Sequence, residues 1–392
     1  NTRSMSPAAA RDRDVEIAAN LAAAAAGVRV RIVSRCDSTL RGHYPLETDV
    51  LEAAATYDAM LFSPAYLAAG RLTIDDVHWH RRGTELVPIA TTEYARDATF
   101  GYHSSNLRDF VLEKTGTRWH PEDITSLDLT TIRTGGPDAV RDKLLRVRGC
   151  RPVIVNAAAE EDLEVVTLGV QLAERQGHRF LHRSGPSLVR VLGGLPSRPP
   201  LRHTQLYPNG PRAGHGLVVV GSHVGNSTRQ VAELLELSDL TVVVLDVPAL
   251  LASGDPVVAT VAADVTAALA RSDVLLATSR ELVGGDNPDE GREIAGRVSG
   301  ALVDIVATAH AKVPLRFVVA KGGITSSDLA TAALKIRRAE VLGQLFPGMV
   351  SVWLTADGEA DAGLPFVVFA GNVGDAAALA DAVTLLRDSH SH

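Results

Sequence analysis

Six consecutive residues, Asp37-Ser38-Thr39-Leu40-Arg41-Gly42, place a carboxylate, two hydroxyls, a guanidinium and a glycine directly after an apolar run. A turn between a strand and a helix needs only one or two such residues. This set offers donors and acceptors for a small polyhydroxy anion, and Arg41 has the planar fork that grips a carboxylate through two parallel bonds. Arg3 and Ser4, in "NTRSM", also stand just before a helical pattern and predict a neighbouring loop of the same kind. Taken alone, Asp37 and Ser38 equally suit a helix cap, and Arg41 a surface ion pair.

A second group of candidates lies in the other half. Three apolar runs end in glycine-bearing loops: "VVVGSHVGNST" (218–228), "VVAKGGITSSD" (318–328) and "VVFAGNVGD" (367–375). Glycine at such positions lets backbone N–H groups approach a phosphate, and the start of the next helix favours negative charge. The candidate nucleotide contacts are Ser222, Gly322, Gly323, Thr325, Ser326, Gly371 and Gly374. No G-x-x-x-x-G-K-[ST] occurs, and Gly214 and Gly216 precede their strand, so neither a Walker loop nor a dinucleotide fingerprint is present. His78 and His80, beside Asp75 and Asp76, have metal-ligand types, but no second cluster at ligand spacing completes a site. Asp97 is a loop carboxylate without an assigned role, Arg183 a weaker site candidate, and Asp246 either a ribose contact or a helix cap.

The elements that must position these residues alternate along the chain. An alanine-rich helix over 8–26 closes at Gly27, a strand over 28–33 leads into the polar loop, a helix over 45–57 starts at Pro45, and "DAMLFSPAY" supplies a strand. Residues 70–110 read as strands and an excursion loop flanking a site. Alternation resumes with a helix over 137–148, the strand "RPVIVNA" and a helix over 160–177, and 181–192 reads mainly as a capped helix. A proline- and glycine-rich stretch over 196–216 reads as a linker. Beyond it come strand–helix pairs with helices near 228–237, 256–271, 289–312, 326–339 and 375–388. Strands apolar on both faces and separated by helices predict an α/β fold: two domains, each a mostly parallel sheet flanked by helices, with the active site in the cleft between them.

A chain of 392 residues suits two domains. With 46% apolar and 22% charged residues and a net charge of −7, it offers no nucleic-acid or polyanion surface, so an anionic ligand requires a local basic pocket. Cys36 and Cys150 are too few for a disulfide framework and fit free thiols in a cytoplasmic protein. No run has the length of a membrane span, and none reads as a signal peptide.

These motifs together resemble the four-carbon acid sugar kinase family. "DSTLRG" (37–42) is its hallmark, and "GR.T" (70–73) and "ArD" (95–97) are similar to its middle section. "VVVGS", "KGGITS" and "GNVG" (371–374) are similar to its nucleotide-binding motifs. The resemblance implies a sugar-acid-binding domain over 1–200, a linker over 201–216 and a nucleotide-binding domain over 217–392. It implies phosphorylation of the terminal hydroxyl of a tetronate, threonate, erythronate or 3-oxo-tetronate, with ATP and Mg²⁺. The sugar acid would sit on Arg3, Ser4, Asp37, Ser38, Thr39, Arg41 and Gly42, and Asp37 is the base candidate in this chain. The family's opening D-D-x-T-G-A loop has no counterpart here, which implies a missing first βα unit. Partners are a small sugar acid and ATP, not nucleic acid or membrane, and a homodimer is left open. The alternatives are an NAD- or CoA-dependent enzyme on a doubly wound fold, or a non-catalytic sugar-acid-binding protein.

Overall fold

The computed structural model describes residues 2–210, 212–221, 225–236, 239–279, 288–347, 349–371 and 373–387. The chain divides into two units, Asn1–Ser197 and Arg198–His392.

In the first unit, α1 (Pro7–Ala24) leads to β1 (Ile32–Arg35), α2 (Leu46–Ala54) and β2 (Ala59–Ser63). A small antiparallel sheet follows, made of β3 (Arg71–Ile74), β4 (Val77–Arg82) and β5 (Glu85–Pro88). The chain continues through α3 (Leu107–Thr115), β6 (Thr125–Leu127), α4 (Leu129–Arg133) and α5 (Gly136–Leu144). It closes with β7 (Arg151–Val155), α6 (Glu160–Arg175), β8 (Phe180–Ser184) and α7 (Pro186–Leu192). Five strands form a parallel sheet in the order β1-β8-β2-β7-β6. Strand β2 is buried at every position, and its side chains alternate between two cores. Met60 and Phe62 pack with Leu107 and Phe110, whereas Ala59 and Leu61 pack with Val153, Val166 and Val170. This is why the strand reads as a continuous apolar run.

Two expectations for this unit are corrected. The strand predicted over 28–33 is displaced to Ile32–Arg35, because β1 is an edge strand whose register with β8 starts at the pair Ile32–Leu181. The stretch 181–192, predicted as mainly helix, is split: Phe180–Ser184 is the strand between β1 and β2, and Pro186 opens α7. His182 and Arg183 disguise this strand, because they are polar residues placed inside it.

The second unit contains α8 (His203–Leu206), β9 (His215–Val220), α9 (Gly225–Leu234), β10 (Thr241–Leu245), α10 (Val247–Ser253) and α11 (Asp255–Leu269). Then follow β11 (Val274–Thr278), α12 (Pro288–His310), β12 (Leu315–Lys321), α13 (Gly323–Asp328), β13 (Ala339–Phe346) and β14 (Met349–Thr355). The chain ends with β15 (Pro365–Phe369) and α14 (Ala378–Arg387). The sheet order is β10-β11-β9-β12-β15-β14-β13, parallel through β15 and antiparallel for the last two strands. Ala339–Phe346 and Met349–Thr355, which start at the last residue of the helix predicted over 326–339 and are otherwise unassigned from sequence, form that antiparallel pair. The helix predicted over 326–339 ends earlier, after a π-helical turn at Leu329–Ala333.

Residues 201–207, within the stretch 201–216 expected as a linker, are packed on the second unit. The Leu201 amide donates to the Gln344 carbonyl (2.8 Å) and His203 Nδ1 to the Leu385 carbonyl (2.9 Å). Tyr207 donates its hydroxyl to the Leu386 carbonyl (2.9 Å), and Leu206 is fully buried. None of the described helices is long and apolar enough to cross a membrane.

Candidate active site

In the first unit the polar loop leaves the carboxyl end of β1 and turns sharply into α2. Gly42 takes φ +139°, a conformation that side-chain-bearing residues rarely adopt. Inside the turn, Asp37 Oδ2 accepts from Arg3 Nη1 (2.9 Å), Arg41 Nε (2.9 Å) and the Thr39 hydroxyl (2.6 Å). Its Oδ1 accepts from the Thr39 amide (3.2 Å). Burial pushes the Asp37 pKa up, but the Arg41 and Arg3 guanidiniums and the Thr39 donors outweigh burial and hold it below the usual carboxylate range. Asp37 is therefore an ionised anchor for two arginines.

The N-terminal turn is tied down independently. Thr2–Ser4 form one 3₁₀ turn, and His43 Nε2–H donates to the carbonyls of Thr2 and Met5, 3.1 Å each. The Thr2 hydroxyl donates to Glu47 Oε1 (2.6 Å), and Glu47 Oε2 accepts from Arg183 Nη1 (3.2 Å). Arg183 is only 1% exposed, and its guanidinium carbon lies 4.7 Å from the Tyr44 ring and 5.6 Å from that of Phe62. It supports the loop from beneath.

The small antiparallel sheet supports the loop from another side. His78 Nε2–H donates to the Ser38 carbonyl (2.8 Å), while Nδ1 accepts from the Thr73 hydroxyl (3.0 Å). Burial pushes the His78 pKa down to about 4, so the ring is neutral and this tautomer is fixed. The hairpin turn places Asp75 and Asp76 at φ +51° and +61°. Asp76 is gripped by Asn156 Nδ2 (2.8 Å) and the Ser126 hydroxyl (2.6 Å), which locks the hairpin to the ends of β7 and β6. The Tyr102 hydroxyl donates to the Thr39 carbonyl (2.9 Å), and Arg41 lies 5.2 Å over the Tyr94 ring with Nη1 3.6 Å from Asp97 Oδ2.

In the second unit, β9, β12 and β15 are adjacent and parallel, so their three glycine loops emerge along one edge of the sheet. Ser222 lies outside the described residues. The third loop is held by α9: Gln230 Nε2 donates to the carbonyls of Val373 (3.0 Å) and Asp375 (2.6 Å), and Asn226 Nδ2 to that of Gly374 (3.2 Å). Gly374 has φ +80°, and a Cβ there would lie 2.5 Å from Ala378 Cβ. Gly323 is exposed, with nothing within 4 Å of where its Cβ would be. Gly322 donates its amide to the Phe369 carbonyl (2.8 Å), joining the second loop to β15. The Ser326 hydroxyl points inward, within 2.8 Å of the Ala320 carbonyl and 2.7 Å of that of Gly322, and Thr325 packs under Gly221. These two side chains form the floor of the loops, and open backbone remains at Gly323.

Thus Arg3, Asp37, Thr39 and Arg41 converge in direct contact, with Ser38 and Gly42 shaping the same loop and Ser4 exposed beside Arg3. Asp246 caps α10, accepting from the Ala249 amide (2.9 Å). Sequence reasoning missed His43, Tyr94, Tyr102 and Lys321. Of these only Lys321 carried a signal, as a charged residue ending an apolar strand directly before two glycines. It is fully buried, and Nζ donates to the Ala370 carbonyl (2.9 Å).

A family model described as a sugar-binding N-terminal domain matches residues 1–192, and one described as a nucleotide-binding C-terminal domain matches residues 217–379. A Salmonella typhimurium LT2 protein described as a putative tRNA synthase is similar in structure, with TM-score 0.68 and 18% identity over 97% of this chain and 86% of that one. A Haemophilus influenzae protein of the DUF1537 family superposes with TM-score 0.60 and 17% identity over 98% of this chain and 88% of that one. At such identities the likeness concerns the fold. No curated protein matches the chain.

Proposed function

Because the chain belongs to the four-carbon acid sugar kinase family, we propose that it phosphorylates the terminal hydroxyl of a four-carbon sugar acid with ATP and Mg²⁺ in the cytoplasm. The observation that carries this reading is the pair of guanidiniums fixed on Asp37 within a domain of sugar-binding type. Each arginine spends one N–H on Asp37, and the planar fork has further donors for a substrate carboxylate. Ser38, Thr39 and Gly42 set the loop's shape, and Ser4 stands beside Arg3.

Asp37 fits the role of anchor better than that of base. A carboxylate that accepts from two arginines and Thr39 and is held below its usual range is a poor proton acceptor. Phosphoryl transfer asks little of a base, because positioning and charge compensation supply most of the rate. The glycine loops of the second unit supply backbone N–H groups for the nucleotide's phosphates. No group of three or more His, Cys, Asp or Glu among the described residues forms a metal cage. Mg²⁺, when bound with the nucleotide, would neutralise phosphate charge.

The test is incubation with ATP and Mg²⁺ against a panel of threonate, erythronate and 3-oxo-tetronate, following ADP release and the ³¹P spectrum. A new phosphomonoester resonance with one of these acids is expected. Nucleotide binding with no phosphorylation of any four-carbon acid would overturn the reading.

A further inference from the structure

Lys321 occupies the last position of β12, between Val220 of β9 and Phe369 of β15, directly before Gly322 and Gly323. Its side chain is fully buried. Nζ has one hydrogen-bond partner among the described residues, the Ala370 carbonyl at 2.9 Å, and lies 4.1 Å from the centre of the Phe369 ring. An ammonium has three donors and a full charge, and a buried cation is normally compensated by a carboxylate. Here no carboxylate and no other charged or titratable side chain among the described residues compensates the amine. Burial alone pushes its pKa down, to about 7. A carbonyl and an aromatic face only partly replace water around a cation.

The position of this uncompensated amine gives it a use. It lies beneath the second and third glycine loops, bound to the residue that immediately precedes Gly371. We infer that Lys321 is a positioning residue whose missing counter-charge is supplied by the phosphates of a bound nucleotide, so that nucleotide binding draws a proton onto its amine. The inference rests on the nucleotide-binding reading of the second unit. An anion brought close to the amine favours its charged form, and by linkage the proton must then be taken up from solvent when the anion binds. Once charged, the amine holds the Ala370 carbonyl more strongly and fixes the third loop against the second.

The experiment is calorimetric titration of the full chain with ADP and excess Mg²⁺ at pH 8, in two buffers of different ionisation enthalpy. Near pH 8 the free lysine is mostly neutral, so the wild type should take up about one proton per ADP, falling toward zero at pH 6, where the amine is already charged. Lys321→Met should bind ADP at least about tenfold more weakly and without proton uptake. Lys321→Arg, which carries a fixed cation, should bind without uptake; it answers the question if the methionine variant does not fold. A merely structural lysine would not change the proton count. Binding by the wild type with no uptake at pH 8, or the same uptake in either variant, would overturn the role of Lys321 and leave the nucleotide reading intact. If the folded wild type fails to bind ADP or ATP, both readings fall together.

Discussion

Replacing Asp37 by Asn separates an anchoring carboxylate from a catalytic one. The side chain keeps its size but loses its charge, and one end becomes a donor facing donors. Oδ2 now accepts from Arg3 Nη1, Arg41 Nε and the Thr39 hydroxyl at 2.9, 2.9 and 2.6 Å. A hydrogen bond to a charged group contributes about 1.5–3 kcal/mol, and two are lost. Asp97 stays 3.6 Å from Arg41 and compensates part of its charge, which favours the lower end, a total of about 3 kcal/mol. For a unit of this size that corresponds to a fall of about 6–12 °C in Tm. Scanning calorimetry should show the transition of the sugar-binding unit moving by this amount, and kinetics should show KM for the sugar acid rising more than kcat falls. A catalytic base predicts the opposite: kcat reduced by about 10²–10⁴ with Tm and KM unchanged. That pattern would refute the anchoring role.

The glycine loops give a paired test. Gly374→Ala would bring a Cβ to 2.5 Å from Ala378 and 3.1 Å from Gln230 Nε2 at φ +80°, and should destabilise by about 1–3 kcal/mol in a melting curve. Gly323→Ala meets nothing within 4 Å, so stability should hold while nucleotide affinity in calorimetry falls about tenfold; unchanged affinity would remove phosphate from this loop. Buried His78 predicts acid sensitivity of the first unit. Its folded value of about 4 lies below the ordinary 6.5, so its contribution is complete above pH 6.5 and is lost as the pH falls toward 4, about 3 kcal/mol in all. Urea unfolding from pH 7 to 4.5 should show a steeper loss for the wild type than for His78→Gln, and equal slopes would exclude the histidine as the source.

Much of this arrangement was legible where one physical rule dominated. Apolar runs such as Ala59–Ser63 announce strands buried on both faces, and Arg3, read from its place just before a helix as part of a loop neighbouring the polar one, donates to Asp37. What was not legible depends on partners distant in sequence. Strand Phe180–Ser184 carries His182 and Arg183 because Arg183 answers Glu47 and Tyr44, and neither lies near it in the chain. The antiparallel pair at Ala339–Phe346 and Met349–Thr355 is irregular, with a register shift between Val341 and Gly343 that breaks strict alternation. The direction of the Ser326 hydroxyl, inward to Ala320 and Gly322, is a rotamer choice that motif reading cannot supply.

The polar loop of the first unit is braced chiefly from outside the five-stranded sheet: by Arg3 of the N-terminal turn, which His43 and Thr2 fasten, by His78 on the small antiparallel sheet, and by Tyr102 and Asp97 beyond it. The hairpin that carries His78 touches the main sheet through a few polar clamps, among them Asn156 and Ser126 on Asp76. Selection acting on ligand preference therefore has a layer of its own to work on. The bracing segments can be lengthened, shortened or exchanged while the parallel core, packed around Phe62 and Leu61, keeps folding as before. Within such a lineage, changes in the acid accepted should accumulate in residues 71–106 and in the N-terminal turn, and the strands beneath should drift only by conservative repacking.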